Sequence, residues 1–202
     1  MEYIKVTNEN IDKEHICCAI SNNNDIQVSS KKEWLKEQFR EGLVFLKSAE
    51  RGKCFIEYLP VENAWNPISA KKKPFLSDPK FLQYKGFKVC DEADNGIQLW
   101  YLPFVADAPL PEFKECARHP HIEEKGYILY YTSQCPFNAK YVPIVEEVAK
   151  ENGVSFRAIH LQSKEEAQNA PTPVTTYALF YDGAYLTNEQ MNDRKFLKLL
   201  SR

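Results

Sequence analysis

Apolar positions along this chain follow two spacings, and the alternation between them lays out the elements. Trp34, Leu35 and Phe39 recur with Gln38 at helical intervals, so the spacing predicts a helix over 31–42 that Gly42 stops. Residues 3–6, 43–46 and 53–59 read as strands, the last two antiparallel around a turn at Glu50-Arg51-Gly52. A further helix is expected over 11–20, capped by Thr7 or Asn8, and Asn22-Asn23-Asn24-Asp25 is a turn by composition. Residues 64–67 open another strand that breaks off into Lys71-Lys72-Lys73-Pro74. One or two helical turns over 78–84 end at Gly86, and strands at 87–90 and 97–104 close as a hairpin through Asp94-Asn95-Gly96.

The pattern changes after residue 105. Residues 106–120 are proline-rich and almost aperiodic, the signature of a linker. A compact series follows: strand 126–132, helix 136–151, strand 154–161, a short helix 164–169, strands 176–181 and 184–187 across the Asp182-Gly183 turn, and helix 193–200. The expected class is α/β (α+β), with one unit over 1–105, a linker over 106–122 and a second unit over 123–202.

Composition narrows the function classes. The 26 basic and 28 acidic residues nearly cancel, so no electrostatic grip on nucleic acid is expected. No apolar stretch approaches the roughly 20 residues that span a bilayer, and Met1-Glu2-Tyr3-Ile4-Lys5 lacks the regions of a signal peptide, so no membrane partner is expected. The expected compartment is the cytoplasm, where the six cysteines stay mostly reduced.

Candidate chemistry centres on Cys135-Pro136-Phe137-Asn138, between a strand and an amphipathic helix. A thiol at the mouth of a helix meets the positive end of the dipole and unpaired N–H groups, which favour the thiolate. Asn138 occupies the place where a C-x-x-C pair would carry its second cysteine, so no local disulfide closes here. Two readings stand: a small residue in a reused fold, or a monothiol that forms mixed disulfides or binds a thiol ligand. His15-Ile16-Cys17-Cys18 and the Cys116 to His121 stretch contain zinc-type ligands but no C-x-x-C pair, and no metal site is expected from them.

The order over 126–202 resembles the thioredoxin or glutaredoxin fold. Cys135 opens the first helix, Pro143 lies eight residues later where such folds carry a kinking proline, and Pro173 after Thr172 matches the cis-proline that faces their cysteine. Residues 1–104 resemble a GNAT acetyltransferase, through Lys73-Pro74-Phe75-Leu76-Ser77-Asp78-Pro79-Lys80-Phe81-Leu82, Lys85-Gly86-Phe87 and Leu99-Trp100-Tyr101-Leu102-Pro103-Phe104. The whole chain looks like the GNAT proteins that carry a YoaP-type C-terminal domain. The resemblance implies acetyl transfer from acetyl-CoA to the amine of a small molecule or peptide. It also implies a partial GNAT-like mixed sheet followed by a thioredoxin-like domain.

The middle departs from that family. GNAT enzymes hold the acetyl-CoA pyrophosphate on a Q/R-x-x-G-x-G/A loop, where backbone N–H groups and a helix dipole converge on the anion. No two of the seven glycines here lie closer than ten residues, so no G-x-G exists. A piece of roughly 40–50 residues, the size of a βαβ unit, is missing relative to the family. Either the protein has lost the cofactor segment and kept the shell, or two pieces are joined near 69–73 across a segment that the sequence does not carry. Lys72 and Lys73 are solvated charges, or by resemblance phosphate contacts. The family's proton-donating tyrosine falls at Leu82, leaving Tyr84, two residues before Gly86, as the candidate acid. Glu57, on the strand before the gap, is a candidate general base for the amine or a solvent-facing strand residue.

Overall fold

The computed structural model describes residues 2–16, 25–50, 54–69, 74–75, 79–102 and 109–201. In the first half, β1 (Tyr3–Val6), β2 (Val44–Ser48) and β3 (Phe55–Tyr58) form an antiparallel sheet in that order. Helix α1 (Ile26–Gln38) begins five residues before the apolar spacing predicts, because the Asp25 side chain accepts the Gln27 N–H at 3.0 Å and caps it there. The chain then turns through Gly42, whose φ of +87° suits glycine.

The helix expected from residue 11 does not form: 8–13 are turns and Ile16 is an isolated bridge, while 17–20 lie outside the described residues. Asn10 supplies the reason. Its Oδ1 accepts the Thr7 N–H at 2.8 Å and its Nδ2 donates to the Lys5 carbonyl at 2.9 Å, so the side chain takes up backbone groups that a helix would use. The expected strand at 64–67 is also displaced. Residues Val61–Asn63 make a turn of 3-10 helix, and only β4 (Ile68–Ser69) is extended.

The order β5-β7-β6 describes the next sheet, made by β5 (Pro74–Phe75), β6 (Lys88–Glu92) and β7 (Gln98–Tyr101), with α2 (Pro79–Tyr84) between β5 and β6. The stretch that composition marks as a linker carries structure of its own. Strand β8 (Glu112–Phe113) pairs with β4, and α3 (Glu115–Arg118) follows it. Phe113 and Ala117 are buried, and Asp91 on β6 accepts both the Phe113 N–H at 2.8 Å and the Arg118 guanidinium at 2.7 Å.

The second half follows its predicted order closely. Its elements are β9 (Tyr127–Tyr131), α4 (Asn138–Glu151), β10 (Phe156–His160), α5 (Lys164–Gln168), β11 (Tyr177–Tyr181), β12 (Ala184–Thr187) and α6 (Asp193–Leu200). The sheet order is β10-β9-β11-β12, with β10 parallel and β11 antiparallel to β9. Helices α4 and α6 cover one face through Val142, Val145, Ala149 and Phe196 against Tyr127, Leu129 and Leu179.

The β11–β12 turn needs φ of +48° at Asp182 and +93° at Gly183. A Cβ at Gly183 would stand 2.5 Å from the Ile122 carbonyl. Gly183→Ala should therefore cost roughly 1–3 kcal/mol in a urea melt, the range for a strained backbone position.

The halves are not separate bodies of apolar packing. Leu161, Ala167 and Ala170 of the second half belong to one buried cluster with Val6, Val28, Trp34, Leu35, Phe45 and Trp65 of the first. That shared core fixes where the reactive groups of each half meet.

Candidate functional site

Trp65 organises the junction. Its ring meets Trp34 edge-on at 5.7 Å, its Nε1–H donates to Gln38 Oε1 at 2.8 Å, and its carbonyl accepts from the Thr175 hydroxyl. Neighbouring bonds repeat the pattern. Asn66 Nδ2 donates to the Pro173 carbonyl at 2.9 Å, Gln168 Nε2 to the Ala64 carbonyl at 3.0 Å, and Lys164 Nζ to Asn63 Oδ1 at 2.8 Å. Helix α1 packs on α4.

Cys135 precedes α4 rather than opening it. A turn closed by the Asn138 N–H and the Cys135 carbonyl at 3.2 Å leads into the helix, which starts at Asn138. The thiol donates to Gln190 Oε1 at 3.7 Å. The expectation that the helix mouth leaves a thiolate is corrected here. Burial dominates and raises the Cys135 pKa above its ordinary value, although the Phe137 and Asn138 N–H groups and the Lys31 charge all pull it down.

The other groups around that turn take defined places. Pro136 and Asn138 are buried, and Asn138 Nδ2 donates to the Thr132 carbonyl at 2.9 Å and the Thr176 carbonyl at 2.7 Å. Asn138 Oδ1 is buried without a donor among the described residues. Thr172 is buried, with its Oγ1 accepting the Val174 N–H at 3.3 Å. The Thr172–Pro173 bond is trans, which corrects the cis assignment that the resemblance implied. The trans form is the lower-energy isomer for X–Pro bonds, and this one leaves the Pro173 carbonyl on Asn66.

Glu57 is no solvent-facing strand residue. Its Oε1 accepts from Lys31 Nζ at 2.9 Å, and the Lys31 side chain is only 2% exposed. Lys31 also lies over the Trp34 ring, 4.1 Å from its centroid. Lys31 thus pairs with Glu57, and its charge opposes, last among the influences on that thiol, the rise that burial gives the Cys135 pKa. Tyr84 does not share this neighbourhood: it is 83% exposed on α2, with Lys85 Nζ over its ring. Lys72 and Lys73 lie outside the described residues.

Sequence reading missed Lys31 and Gln190. A lysine on a helix reads as solvated, and only its place between Val28 and Trp34 on the buried side could have flagged it. Reading also passed over Ser133 and His160, whose Oγ and Nε2 are 3.0 Å apart while the His160 ring stacks on Tyr131 at 4.6 Å. Burial lowers the His160 pKa, so its neutral form is favoured.

Of the zinc-type stretches, Cys17 and Cys18 lie outside the described residues, and His119 is bound to Asp94 at 2.6 Å. Among the described residues no group of three or more His, Cys, Asp or Glu side chains could hold a metal ion. Among the same residues no helix is long and apolar enough to cross a membrane.

Proton-holding groups give a pH prediction. Burial, with Asp91 beside it, pushes the Cys90 thiol up to about 11, and burial pushes Tyr185 up to about 12. Both hold their protons more tightly in the folded chain than in the unfolded one. Their stabilisation is complete below their unfolded values near 9 and 10 and is lost as the pH rises through 11 and 12. Thermal midpoints should fall across that range. Tyr185→Phe, which removes a buried hydroxyl without a partner among the described residues, should flatten the upper end of the fall at no cost near neutrality.

Comparison with known proteins adds two findings. Residues 155–198 match the YoaP-like family. The chain is 38% identical to a Bacillus subtilis (strain 168) protein named "Uncharacterized N-acetyltransferase YoaP", over all of this chain and 99% of the relative. The alignment runs to 248 positions while the chain has 202 residues, so at least 46 positions have no counterpart here. No solved structure matches the chain.

Proposed function

The chain belongs to the YoaP family, and from that premise we propose that its reaction is acetyl transfer from acetyl-CoA to an amine of a small molecule or peptide, in the cytoplasm. The full-length likeness to a protein named as an N-acetyltransferase carries this reading. We read residues 1–105 as the GNAT-like unit and 123–202 as a thioredoxin-like unit. The strand order β10-β9-β11-β12 and Pro143 inside α4 support the second assignment. The amine would approach β3, where Glu57 Oε1 is engaged by Lys31 and Oε2 is the atom left to take a proton.

The 46 or more unmatched positions equal a βαβ-sized piece, and we place their loss at 69–73. With no G-x-G in the sequence, the family's grip on a diphosphate does not fit the residues present. Calorimetric titration of the full chain with acetyl-CoA tests the proposal. Saturable binding supports it. Absence of heat, with the intact mass verified, contradicts it and favours the second reading, a monothiol protein that acts through Cys135. The place of Cys135 in the turn ahead of α4, with its thiol on Gln190 Oε1, supports that alternative.

A further inference from the structure

We infer that residues 8–16 form a pH-sensitive strap on the first half, held shut at Lys47 while His15 is neutral and loosened when His15 takes up a proton. The device stands apart from acyl transfer and needs neither acetyl-CoA nor Cys135.

Lysines fasten the strap. On α1, Lys32 Nζ donates to the Asp12 carbonyl at 3.2 Å, and Lys36 Nζ, one turn on, pairs with Asp12 Oδ1 at 2.7 Å. On β2, Lys47 Nζ donates to Glu14 Oε2 at 2.7 Å and lies 3.1 Å from His15 Nδ1 and 3.5 Å from the Ser48 carbonyl. Between these fastenings the backbone of 8–13 runs in turns, and Ile11 and Ile16 are buried in the cluster that holds Trp34 and Trp65.

The Lys47 end is where a proton matters. The Lys47 side chain is 1% exposed, and an ammonium has three donors and no acceptor. Glu14 at 2.7 Å keeps that ammonium charged, so His15 Nδ1 is the accepting nitrogen of the 3.1 Å contact. The contact therefore assigns a neutral His15 with its proton on Nε2. A second proton goes to Nδ1 and turns the acceptor into a donor that faces a buried cation. Glu14 does not cancel the added charge, because it already neutralises Lys47. On the α1 side, Lys32 and Lys36 bring further positive charge, and the Asp12 carboxylate is taken by Lys36.

The sign follows from the geometry. The open strap binds the His15 proton more tightly than the closed one. Closure is therefore at full strength above the pH at which the open form titrates, and it weakens as the pH falls through that value, by up to about tenfold per unit. His119 behaves in the opposite sense. Its Nδ1 lies 2.6 Å from Asp94 Oδ2, and that carboxylate raises its pKa. Acid thus tightens the contact at His119 and loosens the one at His15. Release withdraws Ile11 and Ile16 from the core, so the first half opens locally before the chain unfolds.

Two measurements on the full chain test the strap. One is an NMR titration of the four histidines against a short unstructured histidine peptide. The other is hydrogen exchange, corrected for intrinsic rates and resolved by mass spectrometry, at about pH 7.5 and about pH 5.5, on either side of the ordinary histidine range. His15 should titrate below the reference peptide and His119 above it. Protection over 8–16 should fall roughly tenfold at the lower pH while that over β9 holds. His15→Asn, which keeps an acceptor and takes up no proton, should abolish the fall. Lys47→Met should move the His15 titration back towards the peptide. Should Lys47→Met fail to fold, the wild-type titration and the His15→Asn exchange still decide the matter. His15 titrating at or above the peptide would overturn the inference. So would equal protection of 8–16 at both pH values, or an undiminished fall in His15→Asn.

Discussion

Trp65→Ala is expected to lower the stability of the whole chain by roughly 3–5 kcal/mol, the range for removing a buried tryptophan. The effect should reach both halves. The substitution empties a space beside Trp34 and removes the only described donor to Gln38 Oε1, leaving that buried carboxamide oxygen unpaired. It also loosens the strand of main chain whose carbonyl holds Thr175 and whose next residue holds Pro173. If the shared core is as continuous as Leu161, Ala167, Ala170 and Trp65 make it, urea melts of the variant shift to a lower midpoint without splitting into two steps.

Lys31→Met should cost a comparable amount, roughly 3–5 kcal/mol, because it leaves the Glu57 carboxylate without its partner in a half-closed setting. Replacing both members, Lys31→Met with Glu57→Leu, should recover much of that loss. A buried ion pair exchanged for apolar groups of similar volume is often neutral, so its retention in a protein needs another reason. A double-mutant cycle in guanidinium chloride measures the coupling between the two residues. A coupling near zero would mean that the 2.9 Å contact is not formed in solution.

How much of this the sequence disclosed differs between the halves. From Tyr127 to Leu200 each element was legible, since short apolar runs and helical spacing alternate there and Asp182-Gly183 marks the hairpin turn. The first half obscured itself in two ways. Helix α1 buries Gln27, Lys31, Lys32 and Gln38 together with its apolar residues, so its inward face reads as mixed. Lys47, likewise buried, pairs with Glu14 at 2.7 Å, which a hydropathy pattern registers as a break in β2. Asn10 diverted a plausible helix into turns through bonds to Thr7 and Lys5 that spacing cannot register.

The site was legible only in fragments. Cys135 stood out by its place ahead of a helix, and Glu57 by its place before the gap. The pairing of Glu57 with Lys31, and the packing of α1 on α4, are long-range events that no local pattern encodes. Burial of the thiol, which raises its pKa, is likewise a tertiary effect. A composition rich in proline said linker for 106–120. Phe113, Ala117 and the Asp91–Arg118 pair make part of that stretch a packed piece of the first half.

Both halves close over one core. All three tryptophans, Trp34, Trp65 and Trp100, lie in the first half, whereas Cys135 reports on the second. Unfolding in urea can therefore be followed on one sample by tryptophan fluorescence and by pulsed alkylation of Cys135 resolved by mass spectrometry. Coincident midpoints are the predicted result. A Cys135 that becomes reactive well before or well after the tryptophan signal changes would contradict it.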